Sequence, residues 1–486
     1  MDGFMHWMET KFMPIAQRIG NQRHLVAIRD GFISIMPVTM AGSVATLLNV
    51  FFRDLPNTWW GAGNAFTEAC TQLINVNVNV YNGSISILAL CFAFTLGYHL
   101  CKSYDVSPIS GGAVSLASVV ATMNFAPSFA YTLADVTPDA VKALEAAGLT
   151  GLTVTDAGAV TMDVVGSSMI STALTSATGL FTALIFGLVC TMIYIKLIQA
   201  KLTIKLPDSV PPAVNSAFVA MIPGVAAIFV SAIITQICVV VSGSYPNDLI
   251  SEFIQRPLLG MSSGFFTVLL VEFLAQLFWF FGIHGMNVLA PITEGIYTPA
   301  LLENLAVWNA TGDLSQLPYM WTRGSFDAYT MMGGSGLTLG LIIAILFFSK
   351  REDSKTIAKL AAPMGVFNIN EPIIFGMPIV LNPIYFFPWL LVPGITPAIA
   401  TTFPPLPRPR GPPAAIALGF TYAGIIPPVY IQVPWIMPVG LYAFFATGGN
   451  VMAALVALLN LAVSFIIWLP FVILANKEQE KTEAAA

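Results

Sequence analysis

The chain is short of charge. Lys, Arg, Asp and Glu make up 9% of its 486 residues, against roughly 25% in soluble domains, which excludes an ordinary water-solvated globular protein. Histidine is scarce too. His6, His24, His99 and His284 stand far apart, with no His-x-x-x-His and no Cys–His spacing, so no metal centre is expected. The five cysteines, Cys70, Cys91, Cys101, Cys190 and Cys238, form no Cys-x-x-Cys pair and mostly lie in or beside apolar runs, where they read as small buried hydrophobes. No glycine-rich phosphate loop with a following lysine is present, which excludes ATP hydrolysis by this chain. No basic patch interleaved with aromatics points to nucleic acid. Nothing in the sequence asks for a cofactor. No cleavable leader opens the chain; the segment 1–29, with Lys11, Arg18, Arg23 and Arg29, reads as an amphipathic surface helix.

Apolar sequence is what the chain has in quantity: 56% hydrophobic residues and a mean hydropathy of +0.78. Many stretches reach the roughly 20 residues a helix needs to cross a bilayer. The runs are continuous rather than alternating, which excludes a closed β-barrel. The fold class is therefore an all-α polytopic membrane protein, with about ten transmembrane helices plus two re-entrant hairpins. Spans are expected near 30–52, 62–80, 84–102, 107–131, 166–198, 216–241, 262–283, 328–349, 380–403 and 436–474. The stretch 62–80 is weak, since it contains Glu68, Gln72, Asn75, Asn77 and Asn79.

Residues 135–163 are polar and acidic and form a loop outside the hydrocarbon. A linker, 199–215, separates a first helical domain, 30–198, from a second, 216–474. A proline-rich insertion, 404–419, and a polar tail, 475–486, complete the plan. The basic start and the run Lys350, Arg351, Lys355 and Lys359 favour a cytoplasmic side. Lys196, Lys201 and Lys205 look cytoplasmic as well, yet five spans from an inside start would put them outside.

The second half is interrupted by Pro, Gly and Asn. Two segments, 285–308 and 361–379, are too broken to span and read as re-entrant hairpins, which are tolerated at membrane depth only where they line a cavity. Each adjoins a lone titratable group. Glu371 is the sole charge between Lys359 and Arg408, and His284 the sole titratable group between Glu272 and Glu294. A charge buried in apolar surroundings is costly. Glu371 can be a structural carboxylate, or it can accept two adjacent sugar hydroxyls at once. Asn370 beside it adds a donor and an acceptor. His284 can be a hydrogen-bonded core residue, or it can orient a hydroxyl or take its proton. Trp279 and Trp435 offer flat apolar faces with one N–H each, as a pyranose ring requires, although most tryptophans in such a chain are core or interfacial.

The motif Gly282-Ile283-His284-Gly285-Met286-Asn287, followed by Phe367-Asn368-Ile369-Asn370-Glu371-Pro372-Ile373-Ile374-Phe375-Gly376 and by Asn382-Pro383 and Val433-Pro434-Trp435, resembles the membrane (IIC) component of lactose/cellobiose-family sugar phosphotransferase systems. The resemblance runs over nearly the whole chain. It implies a ten-span homodimer in the bacterial cytoplasmic (inner) membrane, with the first five spans at the dimer contact and the later spans, with both hairpins, carrying sugar. It implies a β-linked disaccharide substrate, cellobiose first, phosphorylated on its 6-hydroxyl by a separate cytoplasmic IIB protein that is itself charged through IIA. Glu371 and His284 would lie at that hydroxyl as catalytic groups, and Asn370, Asn287, Trp279 and Trp435 would line the same pocket. The chain has no soluble domain with an exposed nucleophilic Cys, so the phosphoryl donor is a separate polypeptide. Residues 404–419 depart from the family pattern just before Trp435. A proton-coupled symporter using Glu371 and His284 as a relay, and a sugar receptor without transport, are the alternatives that residue chemistry leaves open.

Overall fold

In a bilayer the backbone must satisfy its own hydrogen bonds, so long apolar runs become helices. The computed structural model describes residues 21–133, 152–154, 160–166, 168–176, 178–204, 211–262, 264–377, 379–401 and 426–485, with a few further single positions. Most of the segment 1–29, most of the loop 135–163, Lys205 and all of the proline-rich stretch 404–419 lie outside the described residues.

The membrane part is all-α. Among the described residues, four helices are long and apolar enough to cross a bilayer: Thr71–Ser103, Gly179–Gln199, Asn215–Ser242 and Val451–Lys477. Two bent pairs add to them, Arg23–Ser34 with Met36–Asn57 at 42° and Pro246–Gly260 with Phe265–Phe280 at 79°. Pro108–Val120 and Ser335–Phe348 are shorter, and Pro383–Thr401 carries Pro388, Pro393 and Pro397 inside it. Ten continuous spans are thus not what the described helices form; several crossings are short, bent or interrupted by proline, which cannot donate to the helix ladder.

The segments 62–80 and 84–102, expected as separate spans, are joined in one helical run, Thr71–Ser103. Its polar first part leans on the neighbouring helix, where Asn77 Nδ2 donates to Asn49 Oδ1 over 2.8 Å. Part of the 135–163 loop region is folded as well: strands Ser128–Leu133, Leu152–Val154 and Val160–Val165 form a small antiparallel sheet with the third strand in the middle.

Packing divides the helices into two groups. One buried cluster is built mainly from residues 27–250, with Leu302, and contains Phe92, Leu96, Phe186 and Tyr194. A second is built mainly from residues 268–475, around Trp321, Trp389 and Trp468. The helix Pro212–Ser242 sits with the first group: Ser231 Oγ donates to Ser118 O over 2.6 Å, and Ala227 is in that cluster. This helix thus packs with the first group although it follows the linker 199–215.

Small residues let the first group close. A Cβ on Gly111 would sit 2.1 Å from Cys101 Sγ, and one on Gly97 would sit 2.4 Å from Ser115 Cβ, the close backbone approach that replaces a hydrophobic driving force between helices in lipid. Gly111→Leu is expected to cost about 3 kcal/mol or more through overpacking, read as a lowered thermal midpoint in detergent. Gly260→Ala, where a Cβ meets nothing within 4 Å, is the matched control and should leave the midpoint near wild type.

Candidate functional site

Two broken segments meet at one cavity. In the first, helix Phe265–Phe280 ends at Gly282, which takes φ +76°. His284 then caps a four-residue helix, Gly285–Val288, in extended conformation. Gly285 lies so close to the preceding helix that a Cβ would stand 1.9 Å from Ala275 O. The chain continues through Ala290–Ile292 and a π-helical stretch, Thr293–Tyr297, into Thr298–Thr311. In the second, helix Glu352–Val366 stops at Phe367, Asn368 takes φ +64°, and the short helix Glu371–Gly376 follows with Pro372 in its first turn. Asparagine tolerates that left-handed backbone better than most residues. Leu381 N–H donates to Phe280 O over 3.0 Å, so the end of one broken segment is tied to the start of the other.

The cavity between them has a volume of about 640 Å³, and Glu371, His284, Asn370, Asn287, Trp279 and Trp435 all line it. The sequence reading placed Glu371 as a costly buried charge. The carboxylate is instead exposed to the cavity, so it keeps much of its hydration and the expected cost is largely absent. The buried carboxylate is Glu272, 1% exposed, which accepts from Gln276 Nε2 over 3.2 Å and from the Thr330 hydroxyl and does not line the cavity.

His284 Nδ1 accepts the backbone N–H of Asn287 over 3.2 Å. A neutral imidazole has one acceptor and one donor nitrogen, so Nε2 carries the hydrogen and can donate. The Trp279 ring lies 4.3 Å from the imidazole, centroid to centroid, tilted by 45°, and its Nε1–H is buried without a hydrogen-bond partner. Asn370 Nδ2 donates to Ser335 O over 2.8 Å, so one of its donors is occupied and its Oδ1 remains the more available group.

Three features of the cavity were not read from sequence. Asn368 clasps its walls together: Oδ1 accepts from Gly333 N–H at 2.8 Å, and Nδ2 donates to Trp435 O at 2.6 Å and Met437 O at 3.0 Å. Its presence in Asn368-Ile369-Asn370-Glu371-Pro372 was the available signal. A charged trio also faces the cavity. Arg323 Nε pairs with Glu294 at 2.7 Å and Nη1 with Asp327 at 2.8 Å, while Thr298 Oγ1 donates to Glu294 over 2.7 Å. Their stretch was counted as hairpin and inter-span loop. Arg29, assigned to a surface helix, lines the cavity from helix Arg23–Ser34.

Gly334 shapes the floor. It takes φ +88°, and a Cβ there would stand 2.3 Å from Asn370 Cγ. Gly334→Ala should push the carboxamide away and weaken sugar binding about tenfold, the loss of one neutral hydrogen bond at the upper end of its range. Titration calorimetry on the purified variant measures it.

Comparison with known proteins covers nearly the whole chain. The family model "Phosphotransferase system, EIIC" matches residues 29–393. A cellobiose-specific EIIC component from Lactococcus lactis subsp. lactis is 36% identical, with 99% of each chain covered. One from Geobacillus stearothermophilus is 32% identical over 100% of this chain and 97% of its own. The crystal structure of the transporter ChbC, the IIC component from the N,N'-diacetylchitobiose-specific phosphotransferase system, superposes with a TM-score of 0.80 at 26% identity and covers 98% of this chain and 99% of its own. The chain belongs to the phosphotransferase-system EIIC family and is, with it, a multi-pass protein of the cytoplasmic membrane.

Proposed function

We propose that this EIIC permease binds a β-linked disaccharide, cellobiose first, in the cavity between the two broken segments and presents its 6-hydroxyl to a phosphocysteine on a separate IIB protein. The observation that carries the reading is the convergence of Glu371, His284, Asn370, Asn287, Trp279 and Trp435 on one cavity of about 640 Å³, a size within the roughly 300–1,000 Å³ of small-molecule sites. The cellobiose-specific relatives support the choice of sugar.

The reading gives each residue a role that suits its position. Glu371 accepts sugar hydroxyls and takes the proton of the 6-hydroxyl as it attacks phosphorus. His284, whose Nδ1 is occupied by Asn287 N–H, donates from Nε2 and orients that hydroxyl rather than acting as the base. Trp279 supplies an apolar face and a free N–H, Asn370 an acceptor, and Asn287 and Trp435 complete the lining.

The plan of a dimer-forming first group and a sugar-carrying second group belongs to the same reading; two separate buried clusters support it. Light scattering in detergent should give twice the chain mass. The proton-relay alternative gains no support from the family.

Vesicle uptake tests the reaction. Accumulation should require phosphorylated IIB and survive a protonophore; accumulation that collapses with the proton gradient and needs no phosphoryl donor would overturn group translocation. A binding screen of cellobiose, lactose, diacetylchitobiose and an aryl-β-glucoside tests the sugar, with cellobiose expected to bind tightest.

A further inference from the structure

A phosphoryl group reaching this cavity meets mostly negative charge. Glu371, Glu294 and Asp327 all line it, with Arg29 and Arg323 as the cations. Arg323 is held between Glu294 and Asp327, so that trio carries a net negative charge. Arg29 differs in two respects. Its Nε and Nη2 both lie on one oxygen of Asp30, at 2.8 and 2.7 Å. That uses one edge of the guanidinium fork and turns the Nη1–Nη2 edge elsewhere. Its helix, Arg23–Ser34, also touches the segment Gly285–Val288 that His284 caps. Arg29 therefore lines the cavity on the side where His284 stands.

The backbone holds it there from outside the sugar-binding segments. Helix Arg23–Ser34 packs through Ala27, Ile28 and Phe32 into the first buried cluster, and it also touches the segments Gly285–Val288 and Ala290–Ile292. The side chain is 29% exposed, so it is reachable from the cavity yet partly shielded. A guanidinium edge presents two parallel N–H donors that match two oxygens of a phosphoryl group. A neutral sugar has no comparable need of a cation.

We propose that Arg29 is a catalytic residue that grips the phosphoryl group during its transfer to the sugar, an inference that rests on the group-translocation reading above. In the step, the P–S bond of the donor phosphocysteine breaks and its electron pair leaves on the thiolate. The P–O6 bond forms, and the O6 proton passes to Glu371. Charge spread over the equatorial phosphoryl oxygens is stabilised by the free edge of Arg29, as preorganised donors and arginines do in phosphoryl transfer.

The test uses the full-length protein with cellobiose, 6-phosphorylated cellobiose and phosphorylated IIB. Arg29→Gln should bind cellobiose within about twofold of wild type, bind the 6-phosphate at least about tenfold more weakly, and slow phosphoryl transfer about 100-fold, in the range seen for loss of one charge-stabilising donor. The loss should fall on kcat rather than on KM for the sugar. Arg29→Lys, which keeps the charge without the fork, should recover part of the rate. A Gln variant with wild-type phosphate affinity and rate overturns the proposal, and so does one that loses both sugars equally. Wild-type protein that binds neither sugar overturns the group-translocation reading and this proposal with it, whereas wild-type protein that binds both while the variant matches it overturns Arg29 alone.

Discussion

Glu371→Gln will leave the protein folded and membrane-inserted but weaken cellobiose binding by about 100-fold or more. Glu371 is exposed and lines the cavity, and it makes no salt bridge among the described residues. Its neutral isostere should therefore leave no partner stranded and cost little stability. Binding is different. Each hydrogen bond from a hydroxyl to a carboxylate contributes about 1.5–3 kcal/mol, and a carboxylate can hold two adjacent hydroxyls at once. Glutamine keeps one acceptor and replaces the other with a donor that faces a hydroxyl proton. A net loss of about 3 kcal/mol corresponds to roughly a 150-fold weaker Kd. Calorimetry, paired with an unchanged gel-filtration profile and thermal midpoint, reads the effect; wild-type affinity in this variant would remove Glu371 from the sugar site.

His284→Ala divides the two roles the other way. The variant should keep cellobiose binding within about tenfold, because one neutral hydrogen bond contributes only about 0.5–1.5 kcal/mol. Phosphorylation-coupled uptake should fall at least about 100-fold, because a misoriented nucleophile loses much of its advantage of proximity. The imidazole is held by Asn287 N–H on Nδ1 and lies against the tilted Trp279 ring, so its Nε2–H points in a defined direction. Glutamine carries an N–H donor at comparable reach. His284→Gln should therefore recover more transfer than His284→Ala if the residue donates, and no more if it acts as a base. Single-turnover phosphorylation with phosphorylated IIB separates these outcomes, and full uptake in the alanine variant would make His284 structural.

The sites of broken backbone were legible in the sequence because Pro, Gly and Asn interrupt helices for local reasons. Gly282 and Asn368 do adopt positive-φ backbone where the chain turns at the cavity, whereas the break at Gly333 and Gly334 fell inside the expected span 328–349 and was missed. What sequence could not supply was which carboxylate is buried. The rule that a lone charge in apolar surroundings is costly selected Glu371, and that residue faces the cavity. The same rule also picks out Glu272 in Phe265–Phe280, so it selects both carboxylates and cannot say which is enclosed. Burial depends on what packs opposite, and Thr330 comes from 58 residues away.

Arg29 was missed for a related reason. Its position on a basic, amphipathic start suggested a surface, while the helix that carries it turns that side chain into a cavity lined mostly by residues between Trp279 and Tyr442. The division near 199–215 followed composition, whereas packing groups Pro212–Ser242 with the earlier helices through Ser231 and Ala227.

The contacts of Asn368 bear on how sugar preference could be transplanted. One side chain joins the turn at Gly333, its own break before Glu371, and the backbone at Trp435 and Met437. A chimera that imports only one of these stretches from a relative with a different sugar would inherit mismatched walls and bind neither substrate well. Recombination, in the laboratory or in descent, must exchange the stretches around 331–335, 367–371 and 433–437 together to move a working specificity from one permease to another.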